Sequence, residues 1–335
     1  MHNNLIDLIK KAQGKKIMVV GDMVADVYLE GKISRISREA PVLILEHLSD
    51  DVVPGGAANT VHNASTLGGQ VHAVGIIGDD FAGRELTRIL AEKGVDTNCL
   101  LTDNNRPTIT KTRVMAGGNA TVRQQIVRID RELKEPLLDE VEQKLLECVK
   151  KNILDMDAVI ISDYGVNTVT PRIRAAIINA CEQQRIPCIV DSRYSVMEFQ
   201  GVTVVKQNES EAAAAIGRKT LDKDGLIEAG ETILSQLNAQ AVLITLGPDG
   251  MMLFERNKQC INIPVTNKSE VYDVTGAGDT VVAGMALALA AGASYSEASR
   301  LANFAAGVVV RKPGTATTNL AELVAAIGDH DETDK

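Results

Sequence analysis

The stretch Ala158–Arg193, AVIISDYGVNTVTPRIRAAIINACEQQRIPCIVDSR, decides the fold. It opens on a β-branched run that stops at Asp and Gly, passes through the helical stretch TPRIRAAIINACEQQR, and closes on a second run, PCIVDSR. The same pattern recurs on both sides, in KIMVVGD (Lys16–Asp22), VTVVKQN (Val202–Asn208) and AVLITLG (Ala241–Gly247). Strands that are apolar throughout must be covered on both faces, and helices between them supply the cover. The expectation is an α/β fold around a mostly parallel sheet. A short amphipathic helix over residues 3–13, with Leu5, Ile6, Leu8 and Ile9 on its apolar side, precedes the first strand.

Such a sheet binds ligands beyond the carboxyl ends of its strands. Asp22, Asp26, Asp163, Asp191, Arg193, Asn208, Glu211 and Gly247 all fall at those ends. Polar groups gathered along one rim are hard to explain as packing. Two regions, 27–53 and 107–130, break the alternation; both are strand-like, with period-2 patches and Gly turns. They are expected to pair as a small sheet outside the main core, a lid or dimerisation surface, the alternative being an edge extension of the main sheet.

Bulk properties narrow the function. At 335 residues the chain exceeds the usual size of a single core, so one large α/β domain or a domain with an appendage is expected. A formal charge of −9 argues against a nucleic-acid partner, although a local pocket can still be positive enough for an anionic substrate. The five cysteines show no C-x-x-C pair or metal spacing and read as free thiols of a reducing compartment. The start lacks a signal sequence and no apolar run reads as a membrane span, so a cytoplasmic protein is expected. The five histidines are scattered, and there is no P-loop, G-x-G-x-x-G fingerprint, H-E-x-x-H or G-x-S-x-G.

Three Gly- or Asn-bearing motifs remain. In DVTGAGDT (Asp273–Thr280), Asp279 follows Gly276, Ala277 and Gly278 and precedes the apolar helix TVVAGMALALAAG. Small residues let a second molecule approach the backbone, and free amides at a helix start attract anions; a helix N-cap is the bland alternative for the acid. PGGAANTVHNASTLGG (Pro54–Gly69) is a Gly-rich turn opening a helix, with Gly55 and Gly56 allowing close approach and Asn59 offering donor and acceptor. In NESEAAAAIG (Asn208–Gly217), Asn208 and Glu211 have capping-box spacing, and the functional alternative is a hydrogen-bonded water shell around Mg²⁺ near nucleotide phosphates.

Taken together, DVTGAGDT and GGAAN…LGG…VGIIGDD resemble the paired signatures of the ribokinase-like (PfkB) sugar kinases, from about residue 15 to residue 325. NESE is similar to that family's N-x-x-E motif. GDMVADVYLEGKISRISREAPV, VRQQIVRIDRE and EVYDVTGAGDTV…ANFAAGVVVRKPGTAT resemble its bacterial branch acting on D-glycero-β-D-manno-heptose 7-phosphate, on the way to ADP-heptose. In bifunctional relatives of that branch a nucleotidyltransferase follows; none precedes Lys335, so a kinase-only form is expected.

The resemblance implies a ribokinase-like three-layer sandwich over residues 1–335 with a β-sheet lid, and an ATP- and Mg²⁺-dependent kinase. Asp279 would take the proton of the attacking sugar hydroxyl, with the Gly276–Gly278 amides as an anion hole. Asp26, Gly55, Gly56 and Asn59 would hold the sugar. Lys111, Arg113, Gln124 and Arg128 are charge-based candidates for substrate contacts, joined by Asp163 and Arg193 at the rim. Thr245, Gly247, Asn303 and Gly307 would flank ATP, Glu211 would hold Mg²⁺ through water, and Asp273 would belong to a K⁺ loop. A homodimer through the lid is the expected assembly. Departures are DYGVN and DSRYS where heptose kinases tend to read D-Y-x-K-G and D-P-K; Arg193 could replace one lost lysine as a bidentate phosphate contact. Val24 stands where ribokinases carry Asn, which disfavours free ribose. Another sugar, sugar phosphate or nucleoside as acceptor is the alternative, and a non-catalytic sugar or nucleotide sensor a remote one.

Overall fold

In the computed structural model, residues 2–118, 121–266 and 271–333 are described. The apolar runs become a large sheet of β1 (Lys16–Gly21), β4 (Gln70–Gly78), β5 (Asp96–Asp103), β8 (Ala158–Asp163), β9 (Cys188–Ser192), β10 (Val204–Asn208), β11 (Ala241–Thr245), β12 (Met251–Glu255) and β13 (Ile261–Ile263). Their order is β13-β12-β11-β10-β9-β8-β1-β4-β5, parallel from β11 to β5, with β12 and β13 antiparallel at one edge.

Why these runs are apolar at every position is visible in the two cores. Successive side chains of a strand point to opposite faces, and both faces are covered. Ile17, Val19, Ala158 and Ile160 enter one core, roofed by α1 (His2–Lys11), α2 (Ala57–Thr66), α3 (Phe81–Glu92), α8 (Ala277–Ala290), α9 (Tyr295–Val309) and α10 (Leu320–Thr333). Met18, Val20, Val159 and Ile161 enter the other, under α4 (Asp139–Asn152), α5 (Pro171–Gln184), α6 (Glu209–Ala215) and α7 (Lys223–Gln236). Each fully buried Leu or Ile is worth roughly 1.5–3 kcal/mol. The helix α8 has no polar face beyond its first turn because it is enclosed, with Val281 through Leu289 all buried.

The regions that break the alternation form a separate sheet of β2 (Met23–Ile36), β3 (Leu43–Gly56), β6 (Ile109–Gly118) and β7 (Thr121–Arg131), ordered β3-β2-β6-β7. The edge-extension alternative does not hold. β2 leaves β1 through Asp22 alone, and β3 runs straight into α2, so this sheet is rooted at the carboxyl edge of the large one. Large apolar side chains stay exposed on it, among them Ile36, Leu43, Leu48, Ile126, Val127 and Ile129.

The chain runs from β1 to β4 and β5 on one side and returns through β8 to β11 on the other. Strand order therefore reverses between β1 and β8, where a crevice opens at the carboxyl ends.

Candidate active site

The helix α8 begins at that crevice. Gly276 is its N-cap at φ 78°, a left-handed conformation that favours glycine, and a Cβ there would collide with Asn59 Nδ2. Asp279 is thus the third residue of the helix and not its cap, which replaces the bland reading of the motif. The amide of Ala277 is spent on Val274 O at 3.2 Å. Among the described residues the amides of Gly276, Gly278 and Asp279 have no acceptor in the chain, so three donors face outward at the positive end of α8.

The Asp279 carboxylate is only 6% exposed and is held from three sides. Asn59 Nδ2 donates to Oδ2 at 2.7 Å, while the Tyr164 hydroxyl and Thr60 Oγ1 donate to Oδ1 at 3.0 and 3.2 Å. Burial lifts its pKa to about 6; the Asn59 bond opposes this, Asp191 adds to it, and Lys206 and Tyr164 pull it back.

A cavity of about 330 Å³ lies in front of the helix start. Its walls are the ends of β8, β9 and β10, carrying Asp163, Asp191, Arg193 and Asn208, with Glu211 beyond. Lys206 forms the floor. It sits opposite Asp191 in the β9–β10 register, with Nζ 2.8 Å from Asp191 Oδ2. A Cβ on Gly278 would lie 2.7 Å from Nζ, so the ammonium rests against Gly278 at the helix start. Although burial works against its charge, Asp191, Glu211 and Asp279 together keep Lys206 protonated, its pKa above the ordinary lysine value.

Asn208 and Glu211 form a full capping box on α6: Asn208 Oδ1 accepts from Glu211 N and Glu211 Oε2 accepts from Asn208 N, both at 2.8 Å. Both residues also line the cavity, so cap and site coincide. Burial, then the nearby Asp191, raises the Glu211 pKa, which Lys206 partly offsets.

Of the residues the sequence points to, Asn59, Asp163, Arg193, Asn208, Glu211 and the Gly276–Asp279 turn converge here. Asp163 is already engaged by Ser192 Oγ, Ser195 Oγ and Gly165 N. Asp26, Gly55, Gly56, Lys111 and Arg113 form a second group at the root of the small sheet. Arg113 Nη1 pairs with Asp26 Oδ1 at 2.8 Å, and a Cβ on Gly55 would meet Asp26 Oδ2 at 2.7 Å, so the turn packs on the acid. Gly56 N-caps α2, which carries Asn59. Lys111 Nζ lies 5.5 Å from the ring centre of Tyr164 and so ties this group to the cavity.

The remaining candidates are not drawn in. Gln124 and Arg128 are exposed on β7, where Arg128 pairs with Asp130. Thr245 is the register partner of Asn208, and Gly247 follows in a turn at φ 57°. Asn303 donates to Pro264 O, and Gly307 lies against Thr266, so both fasten α9 to the 264–266 segment. Asp273 accepts from Thr275 N and Gly314 N outside the cavity. Lys206, Tyr164 and Thr60 escape the sequence reading. A lysine inside an otherwise apolar buried strand is a signal for Lys206; nothing local marks the other two.

The sequence profile of the pfkB family carbohydrate kinases matches residues 14–322. The chain belongs to that family. It is therefore a phosphotransferase with a sugar hydroxyl as acceptor. The bifunctional protein HldE of Trichlorobacter lovleyi is 40% identical over 329 residues, covering 98% of this chain and 66% of its own length. HldE of Geobacter metallireducens is 38% identical over 333 residues, covering 99% and 67%. The chain thus spans about two thirds of the curated relatives it matches. In fold it is similar to Arabidopsis thaliana ribokinase complexed with ribose and ATP (TM-score 0.70, 20% identity, 94% and 99% of the two chains). It is likewise similar to Escherichia coli phosphofructokinase-2 in complex with potassium (TM-score 0.74, 21% identity, 95% and 100%). The architecture is ribokinase-like.

Proposed function

We infer that this carbohydrate kinase transfers the γ-phosphoryl group of ATP to the anomeric hydroxyl of D-glycero-β-D-manno-heptose 7-phosphate, giving the 1,7-bisphosphate. The observation that carries the reading is the buried Asp279 carboxylate beside three free amides and an ammonium. The amides of Gly276, Gly278 and Asp279, with Lys206, can stabilise negative charge on a transferring phosphoryl group, while Asp279 takes the proton of the attacking oxygen. The substrate class comes from the resemblance of the β2, β7 and α8–α9 segments to heptose kinases, and the HldE relatives are compatible with it.

Asp26 would receive sugar hydroxyls after exchanging part of its pairing with Arg113, and Arg113, Lys111 and Arg193 supply cationic charge for a substrate phosphate. Among the described residues no group of three or more His, Cys, Asp or Glu could hold a metal ion directly. Glu211 fits a water-mediated role instead, since the cap uses one of its carboxylate oxygens while the residue lines the cavity. Mg²⁺ bound there would neutralise the nucleotide phosphates. Asp273, held by the amides of Thr275 and Gly314, would stand beside a K⁺ ion in its loop. The exposed apolar side chains of the small sheet support a homodimer through that sheet.

The test is ATP turnover with Mg²⁺ on the heptose 7-phosphate beside ribose, fructose 6-phosphate and adenosine. Turnover on the heptose phosphate alone, lost in Asp279→Asn, is the expected result. Turnover on another acceptor would keep the mechanism and discard the substrate.

A further inference from the structure

Tyr164 lines the cavity and also touches the residue group at the root of the small sheet. Its backbone is fixed by Asp22, a fully buried carboxylate between β1 and β2. Asp22 Oδ2 accepts from Tyr164 N at 2.8 Å and Val166 N at 3.2 Å, and Oδ1 accepts from Thr168 N at 3.2 Å. The Tyr164 ring packs on a small apolar cluster of Val24, Ile109 and Val166, the first two from the small sheet. Lys111, also from that sheet, stands over the ring. The hydroxyl reaches the other way, to Asp279 Oδ1.

A carboxylate oxygen has two lone pairs. On Oδ1 they are filled by Thr60 and Tyr164; on Oδ2 only one is filled, by Asn59. The remaining lone pair of Oδ2 is the place for a proton. The small sheet thus meets the base both through α2, which continues β3, and through the Tyr164 side chain, whose backbone is anchored at the end of β8.

We propose that Tyr164 is a positioning residue: its hydroxyl directs the acceptor's proton to Asp279 Oδ2 and makes the strength of that base depend on the seating of the small sheet. The proposal rests on the kinase reading above. No covalent step involves Tyr164, which keeps its proton throughout; burial, then Asp279, raises its pKa far above the ordinary tyrosine value. The other charged groups facing the pair are Asp191 at the end of β9, Lys206 on β10, Arg193 beyond β9, and Lys111 on β6.

Tyr164→Phe keeps the ring and removes only the donor. The carboxylate loses a bond to its charged form, so the acid limb of kcat/KM is expected to move up by about one pH unit, with KM for ATP unchanged. The ¹³C titration of the Asp279 carboxyl in the free full-length chain should move equally. Lys111→Met should shift that titration more in the wild-type background than in the Phe background, because the part of its influence that runs through the hydroxyl is lost in the latter while its direct field remains. An unmoved titration in Tyr164→Phe overturns the proposal, and so does a Lys111→Met shift of equal size in both backgrounds. Should the wild-type chain phosphorylate none of the sugars, the kinase reading fails separately and the titration alone upholds or overturns the Tyr164 contact.

Discussion

A buried carboxylate proposed as a general base sets its own pH limit. Asp279, lifted to about 6 chiefly by burial, is mostly protonated at pH 5 and mostly ionised at pH 7. As a general base it should make kcat/KM rise with pH through about 6 and level off above, falling tenfold per unit below. Asp279→Asn should lower kcat on the order of 10³-fold and leave ATP binding measurable by calorimetry. Lys206 tests the electrostatic half of the site. Lys206→Met leaves the partly buried Asp191 without its partner, at a cost of about 3 kcal/mol or less, and removes the charge beside the helix start. The double variant Lys206→Met/Asp191→Asn should regain most of the stability in urea unfolding but not the activity. Recovery of both together would mean that Lys206 serves the fold alone.

At the scale of elements, the fold was legible where one force dominates. β1, β8, β9, β10 and β11 declare themselves because the body of a strand covered on both faces is a run of consecutive apolar residues, as Ile17–Val20 and Ala158–Ile161 show. Two of the three side-chain partners of Asp279 were not legible. Thr60 and Tyr164 lie 219 and 115 residues away in the chain, and no local spacing encodes a contact made only when α2, β8 and α8 meet. Asn208 and Glu211 show the opposite case, in which a legible cap hides a second role. Gln at 211 can still accept from the Asn208 amide, so Glu211→Gln should keep the unfolding free energy within about 0.5 kcal/mol while raising the Mg²⁺ concentration needed for half-maximal rate. Asn208→Ala should cost about 1 kcal/mol of stability as well. The helix α2 carries a further strain of pH: His62 has neither ring nitrogen partnered, and burial, then Lys93, lowers its pKa to about 4. The unfolded chain then binds a proton between about pH 6.5 and 4 that the folded chain refuses, so stability falls as pH drops through that window. His62→Leu should flatten this dependence in urea melts at pH 7 and pH 5, and an unchanged slope would show that other groups set it.

At the scale of the whole molecule, the two sheets have different economies. The large sheet buries both faces, whereas the small one leaves Ile36, Leu48 and Ile129 between 56% and 65% exposed. Apolar side chains spread over β2, β3 and β7 lower their free energy only by meeting another surface, and the proposed partner is a second copy of the same chain. A charge on each of two such positions, Leu48→Asp with Ile129→Asp, would place four carboxylates within a two-fold interface and none within the monomer's cores. Sedimentation velocity should then show a dimer for the wild-type chain and a monomer for the double variant, with the thermal unfolding of the large sheet little changed. If the small sheet, which carries Asp26 and packs on Tyr164, is steadied by its partner, the monomer should show a raised KM for the sugar phosphate and an unchanged KM for ATP. A dimer that survives both charges would place the interface elsewhere and leave the small sheet a lid that works alone.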